Sequence, residues 1–480
     1  MDLEVETPFG RLRGHASDGV TAYRGVPYAH ARRFEMPGPP PRWSSVRDAS
    51  RPGTIPPQNP SRLDAVMGAY DAPQSEDCLH VDIWTTHRPG ARAPVLVFIH
   101  GGGFMTGGGS LPCYDGSVLA RENGLVVVNI SYRLGVFGFW PGAALGPANL
   151  GLHDQVAALR WIHEAIACFG GDPERVAISG QSAGGFSVAA HLAAGLGPKL
   201  FRRAFMMSAP LGLELRSLER ATPHEAALVD GLGLGNAEAL RDMPVDEVFT
   251  RLRGLEKNAA GVPGDITPPF MPVVDGDILP GPPLETLRAR PFDGCDVMIG
   301  VTREELAAFY VGNPRLDGLT DDALRELFRH ELGGDADATL STIRSERVPA
   351  TPRALLADLH TDRAFLEPSL ELAAVRRRQG GKAFAYIFDW APPGSPLAAC
   401  HCLDLPFLYG NTDVWKVAPM LQGADLREVN ELGRRFRGAV AAFVADGDPN
   451  AADLPRWPAF GEGRIVLHVD RRITASSHLG

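Results

Sequence analysis

The sequence predicts a doubly wound α/β fold: a large, mostly parallel central sheet, helices on both of its faces, and inserted helical segments forming a cap. Two patterns and one bulk property carry that expectation. Val95–Ile99 and Leu125–Ile130 are unbroken apolar runs of strand length, as in strands buried on both faces. Segments of helical periodicity alternate with such runs, which is how a parallel sheet is wound. With 44% hydrophobic and 22% charged residues among 480, the chain has enough apolar side chains to cover both sheet faces. That length exceeds one simple core, and residues 1–480 read as a single large domain with a helical insertion around 319–375.

Before about residue 92, short strand-like runs mix with loop, because Pro37–Pro41 and Pro52–Pro60 are too proline-rich for regular structure. Beyond the two apolar strands, Leu152, Val156, Leu159, Ile162, Ile166 and Phe169 recur at helical spacing and cover a sheet face. The strand Arg175–Ser179 follows, then a helix from Ala183 to about Ala194, then a strand over Ala204–Ser208. Later strands fall at Asp296–Val301 and Ala383–Phe388, with helices over 319–375 between them. A long helix over about Leu426–Ala445 precedes a Gly447-Asp448-Pro449 turn and one last strand, Arg464–His468. There is no internal repeat and no low-complexity segment.

Formal net charge is −10 and no block of Lys or Arg occurs, so nucleic acid and acidic membranes are excluded as partners in favour of a small molecule. No run approaches the roughly 20 apolar residues of a membrane span. Met1-Asp2-Leu3-Glu4 lacks the basic and apolar regions of a signal peptide, and the expected location is the cytoplasm. The cysteines, at 78, 113, 168, 295, 400 and 402, are widely scattered and read as reduced thiols. Cys400-His401-Cys402 sets three metal-binding side chains in a row, but adjacent residues point apart and do not close a tetrahedral shell, so no metal is assigned.

Gly180-Gln-Ser-Ala-Gly184 stands between a strand and a helix, the setting of a G-x-S-x-G nucleophile elbow, and makes Ser182 the candidate nucleophile. His100-Gly-Gly-Gly-Phe104 follows the Val95–Ile99 strand at its C-terminal end. Its glycines suit two backbone N–H groups turned toward one small space, where a tetrahedral oxygen would carry charge. The phosphate-cradling alternative fails because no G-x-x-x-x-G-K-[ST] pattern is present. A serine hydroxyl needs a base oriented by a carboxylate, in chain order serine, acid, histidine. Beyond position 305, His330 and His360 fall in helical patterns, His468 in the terminal strand and His478 in the tail. His401 alone occupies a loop after a buried strand. For the acid, Glu304 and Glu305 both sit just past the Asp296–Val301 strand, and nothing in the local pattern separates them; Asp293 and Asp296 lie at its wrong end and read as surface residues.

Further motifs are Tyr23-Arg-Gly-Val-Pro-Tyr-Ala29, Ser75-Glu-Asp-Cys-Leu79, Ser131-Tyr-Arg-Leu-Gly-Val-Phe-Gly138, Asn149-Leu-Gly-Leu-His-Asp-Gln155 and Phe169-Gly-Gly-Asp-Pro173. Together with the elbow they resemble the landmarks of the type-B carboxylesterase and cholinesterase family, in that family's order and over nearly the whole chain. The resemblance implies the α/β-hydrolase fold and cleavage of small-molecule esters without a cofactor. It implies Glu305 as the acid, since Gly300-Val-Thr-Arg-Glu-Glu305 matches a family segment whose last carboxylate joins the triad. It likewise supports His401, through His401-Cys-Leu-Asp-Leu-Pro-Phe407, and implies an oxyanion hole made by the N–H groups of Gly102, Gly103 and Ala183.

Departures from the family refine the expectation. Gln181 stands where the family usually has Glu, which removes a negative charge and argues against choline esters. Bacterial members that cleave aryl carbamates are similar here, so a carbamate is the second substrate class, with amides sharing the same residues. Cys78 matches a cysteine that is disulfide-bonded in secreted members, yet residues 1–77 contain no cysteine. Arg33 with Glu76 and Arg133 with Glu164 read as structural ion pairs, and Asp154 and Ser208 as hydrogen-bonding scaffold. A cholinesterase-like binding protein without activity is the rival from another class; it is disfavoured because every triad and oxyanion position is filled. Loops over 60–72, 104–115 and 260–275 are expected to wall the pocket. Within them Phe104, Met105, Phe270 and Met271 read equally as packing or as acyl-pocket contacts.

Overall fold

The computed structural model describes residues 3–258, 266–291 and 294–478. Its large sheet has eleven strands: β1 (His15–Ser17), β2 (Val20–Pro27), β3 (His80–Thr85), β4 (Ala93–Ile99), β5 (Val126–Ile130), β6 (Gly171–Gln181), β7 (Arg203–Met207), β8 (Asp296–Thr302), β9 (Ala383–Phe388), β10 (Ile465–Val469) and β11 (Thr474–Ser477). Their spatial order is β11-β10-β9-β8-β7-β6-β4-β5-β3-β2-β1. From β5 across to β10 every pairing is parallel, while both margins are antiparallel. A separate small sheet joins Glu4–Thr7, Gly10–Arg13 and Arg47–Asp48.

Alternate residues of each central strand feed two different cores, which is why the strands read as unbroken apolar runs. On one face Val95, Val97, Ile99, Ile178, Met206 and Ile299 pack under α1 (Leu150–Ala165) and α2 (Ala183–Ala193). On the other, Leu96, Phe98, Ala177, Phe205 and Met298 pack in the cluster that includes Val429, Phe436 and Val440. The longer helices between β8 and β9 are α3 (Asp321–Leu332), α4 (Ala336–Glu346), α5 (Pro352–Thr361) and α6 (Glu367–Arg378), with a π-helical turn at Asp362–Leu366 joining the last two. Thr320 and Thr351 cap α3 and α5 by accepting the Ala323 and Ala354 N–H groups. The long helix α7 (Leu426–Asp446) starts on the Asp425 cap and ends at Gly447, whose left-handed φ of +73° suits glycine.

Three differences from the sequence reading stand out. Helices at Leu218–Gly231, Val245–Asn258 and Pro283–Ala289 fill the stretch between β7 and β8; Pro223 inside the first masks its helical signal. Strand β11 follows the strand expected to be last. Its Thr-Ala-Ser-Ser sequence is an exposed edge without apolar alternation, specified by pairing to β10 rather than by local pattern. Arg133 pairs with Asp154 (2.7 Å) and not with Glu164, because Asp154 lies on the buried side of α1 while Glu164 is exposed. Arg33 does bind Glu76, at 2.5 Å. All six cysteines are free thiols. Among the described residues no helix is long and apolar enough to cross a membrane.

Candidate active site

Ser182 occupies the turn between β6 and α2 with φ +58° and ψ −122°, a conformation that an L-residue adopts only under constraint. The constraint is visible. Its N–H donates to the Met207 carbonyl (2.8 Å), and its carbonyl accepts from Phe186 N–H (2.9 Å). The flanking glycines are required by close approach: a Cβ on Gly184 would sit 2.0 Å from the Ile99 carbonyl oxygen, and one on Gly180 would sit 2.3 Å from the Gly184 carbonyl.

Residue Ile99 pairs with Gly180, so the glycine loop leaves β4 beside the elbow. Gly102 has φ +102°, and a Cβ there would be 2.0 Å from the Thr106 carbonyl oxygen. Its own carbonyl accepts from Met105 and Thr106 N–H, each at 3.0 Å, which curls the loop back. Among the described residues, the N–H groups of Gly102, Gly103 and Ala183 have no hydrogen-bond acceptor. Burial pushes the His100 imidazole down to about 4, so this side chain is neutral; it stacks on Tyr132 with ring centroids 4.5 Å apart.

Tertiary structure separates the two glutamates. Glu304 forms an isolated parallel bridge with Cys400, its N–H donating to Ala399 O (3.0 Å) while its carboxylate accepts from Ala399 N–H (2.9 Å) and from Arg347 (2.8 Å). That bridge aligns the residue that follows on each segment, Glu305 and His401. Glu305 is fully buried; Oε1 accepts the Thr302 N–H (2.7 Å) and Oε2 hydrogen-bonds His401 Nδ1. The rings of Phe309 (4.9 Å between centroids) and Phe365 (5.4 Å) pack on His401, the latter presented by the π-helical turn.

No hydrogen bond joins Ser182 Oγ to His401 among the described residues. Instead His401 Nε2 lies 3.1 Å from Gln181 Nε2. Asp404, three residues after His401, is also wholly buried. Its Oδ2 accepts from the Tyr386 hydroxyl (2.9 Å), and among the described residues its Oδ1 has no hydrogen-bond partner. Burial, and then the nearby Glu305 charge, push its carboxyl up to about 7. Neither the contact of Gln181 with His401 nor the burial of Asp404 was legible in the sequence, since both exist only in the assembled fold.

The other histidines lie elsewhere. His360 sits between the Tyr310 hydroxyl (2.6 Å) and Glu331 (2.7 Å); with His330 it lines a cap cavity of about 920 Å3. His468 pairs with Asp389 at 2.8 Å, and His478 closes the C-terminal hairpin through its N–H to Arg464 O (2.9 Å). Asp296 begins β8 and is half-buried rather than exposed; Asp293 and residues 260–265 fall outside the described residues. Phe104 and Phe270 are core, packed on Phe139 and Trp140, and Met271 is buried too, while Met105 is half-buried. The 60–72 loop walls a second cavity of about 290 Å3, together with Gly101, Gly102, Gln181 and Cys402.

A mostly parallel sheet with a strained serine elbow at its C-terminal edge, unpaired amides beside it and a buried His-Glu pair facing it defines an α/β-hydrolase. The carboxylesterase family model matches residues 1–479, and the chain belongs to that family. It is 34% identical to phenmedipham hydrolase of Pseudarthrobacter oxydans, over 95% of this chain and 92% of that protein. It is also 34% identical to para-nitrobenzyl esterase of Bacillus subtilis, covering 98% and 95%. A solved carboxylesterase from Geobacillus stearothermophilus superposes with a TM-score of 0.86 at 35% identity, over 99% of this chain and 98% of that one. The protein is accordingly a carboxylic ester hydrolase.

Proposed function

We propose that this hydrolase works through an acyl-enzyme on Ser182. The observation that carries the reading is the buried Glu305-His401 pair set beside a strained serine whose neighbouring amides are unpaired. Ser182 Oγ attacks the ester carbonyl as His401 Nε2 takes its proton. The tetrahedral oxygen is received by the N–H groups of Gly102, Gly103 and Ala183, where each donor contributes roughly a hundred- to a thousand-fold in rate. His401 then protonates the departing alcohol, and water activated by the same nitrogen releases the acid. Glu305 keeps the proton on Nδ1 and stabilises the imidazolium formed in each half-reaction. These steps use no cofactor or metal.

The substrate class is a small ester without a required positive charge, because Gln181 offers no anion beside the nucleophile. A carbamate is the second reading, favoured by the likeness to a relative named phenmedipham hydrolase. The cap belongs to the same working unit, since its π-helical turn carries Phe365 onto the base. A p-nitrophenyl ester series and one aryl carbamate, assayed with wild type and Ser182→Ala, test the reading. Wild-type turnover with a loss of roughly 10^6-fold in the variant supports it; equal rates in both overturn it.

A further inference from the structure

We propose that Gln181 is a positioning residue for the base, its carboxamide holding His401 Nε2 in the substrate-free site, so that Nε2 must exchange Gln181 for the Ser182 hydroxyl before proton transfer begins. This inference rests on the acyl-enzyme reading above. Four observations carry it. His401 Nε2 is 3.1 Å from Gln181 Nε2, and among the described residues no serine hydrogen bond competes. Nδ1 is committed to Glu305, so Nε2 carries the free lone pair and the amide is its donor. Room for the amide is built in: a Cβ on Gly101 would lie 2.7 Å from Gln181 Oε1. The Cys402 thiol meets the same carboxamide, from a residue held at φ +74°.

An amide N–H suits neutral imidazole and opposes imidazolium, because the proton gained at Nε2 would face another donor. Proton transfer from Ser182 Oγ to Nε2, as the Oγ–carbon bond forms, therefore requires the carboxamide to turn away or to present Oε1. The 290 Å3 cavity walled by Gln181 gives it space to do so. The other groups around the ring are Glu305 at Nδ1, Asp404 with its Tyr386 partner, the thiols of Cys400 and Cys402, and the rings of Phe309 and Phe365. Arg62 lies behind Phe309, 4.9 Å from its centroid. Gln181 is the neutral member that touches the proton-accepting nitrogen.

The test compares the pH dependence of kcat/KM for a p-nitrophenyl ester in wild type, Gln181→Glu and the near-isosteric Gln181→Met. The low-field Nδ1 proton signal of each folded protein is followed in parallel. Stoichiometric labelling of Ser182 by a fluorophosphonate is checked first; failure of wild type to label overturns the acyl-enzyme reading itself. With labelling intact, removing the donor in Gln181→Met moves the acid limb upward. The carboxylate of Gln181→Glu moves it further, by roughly one pH unit or more. The Nδ1 signal titrates with the same shifts. A merely structural Gln181 lowers the plateau at every pH without moving the limb or the signal, and that result, in either variant, overturns the proposal.

Discussion

The strain at Ser182 predicts an inversion of the usual ranking of alanine and glycine. In the interior of regular structure, glycine is less stabilising than alanine by roughly 0.5–1 kcal/mol, through the entropy of the unfolded chain. At φ +58° and ψ −122°, however, a Cβ costs on the order of 1–3 kcal/mol, and glycine removes that cost. Ser182→Gly should thus exceed Ser182→Ala in stability by about 1 kcal/mol, the opposite of the ordinary sign. Among the described residues Ser182 Oγ makes no hydrogen bond, so Ser182→Ala itself should lie within about 0.5 kcal/mol of wild type. For a chain of this length the gap between the variants corresponds to only about 1 °C in Tm, so denaturant midpoints at equal slope are the better readout. Both variants lack the hydroxyl and both are denatured in the absence of substrate, which keeps turnover and ligand binding out of the comparison. Alanine matching or exceeding glycine would refute the strain argument, and with it the idea that the Met207 and Phe186 hydrogen bonds hold the elbow against its own preference.

Replacing Glu305 with Gln keeps the volume but removes the charge and permits the wrong imidazole tautomer; kcat should fall roughly 10^4-fold with near-native circular dichroism, and a loss below tenfold would remove Glu305 from the mechanism. Asp404 supplies a pH signature. Its carboxyl is raised to about 7 in the fold against an ordinary 3.8, so the folded chain keeps a proton that the unfolded chain releases. The stability this confers is complete below the ordinary value and is lost as pH rises through about 7. Asp404→Asn mimics the protonated form, and should match wild type near pH 4 while exceeding it at pH 8.5 by on the order of 4 kcal/mol in urea unfolding. Parallel stability curves for the two proteins would contradict that account.

Much of this architecture was legible because each signal was local. The apolar runs of β4, β5 and β8, the spacing in α1, and the glycines around Ser182 and after His100 each report a constraint acting within a few residues. Edge strand β11 was missed because nothing in Thr474–Ser477 distinguishes it from loop until β10 lies beside it. Arg133 was assigned the wrong carboxylate for a related reason: Asp154 and Glu164 share one helix, and burial alone tells them apart.

By itself, the sequence determined the fold class, the elbow, the glycine loop and the residue types of the base and its acid, because strand alternation and steric demand for glycine are written in neighbouring positions. Only the tertiary structure gives Glu304 and Glu305 their different partners, where the local pattern left the two open and the family resemblance favoured the second. The Glu304–Cys400 bridge turns the first carboxylate onto the loop backbone and leaves the second facing His401. The same holds for the partner of His401 Nε2 and for the buried Asp404. Gln181 ends β6, Glu305 follows β8 and His401 lies in the loop after β9, so the distances among them exist only once the sheet has formed.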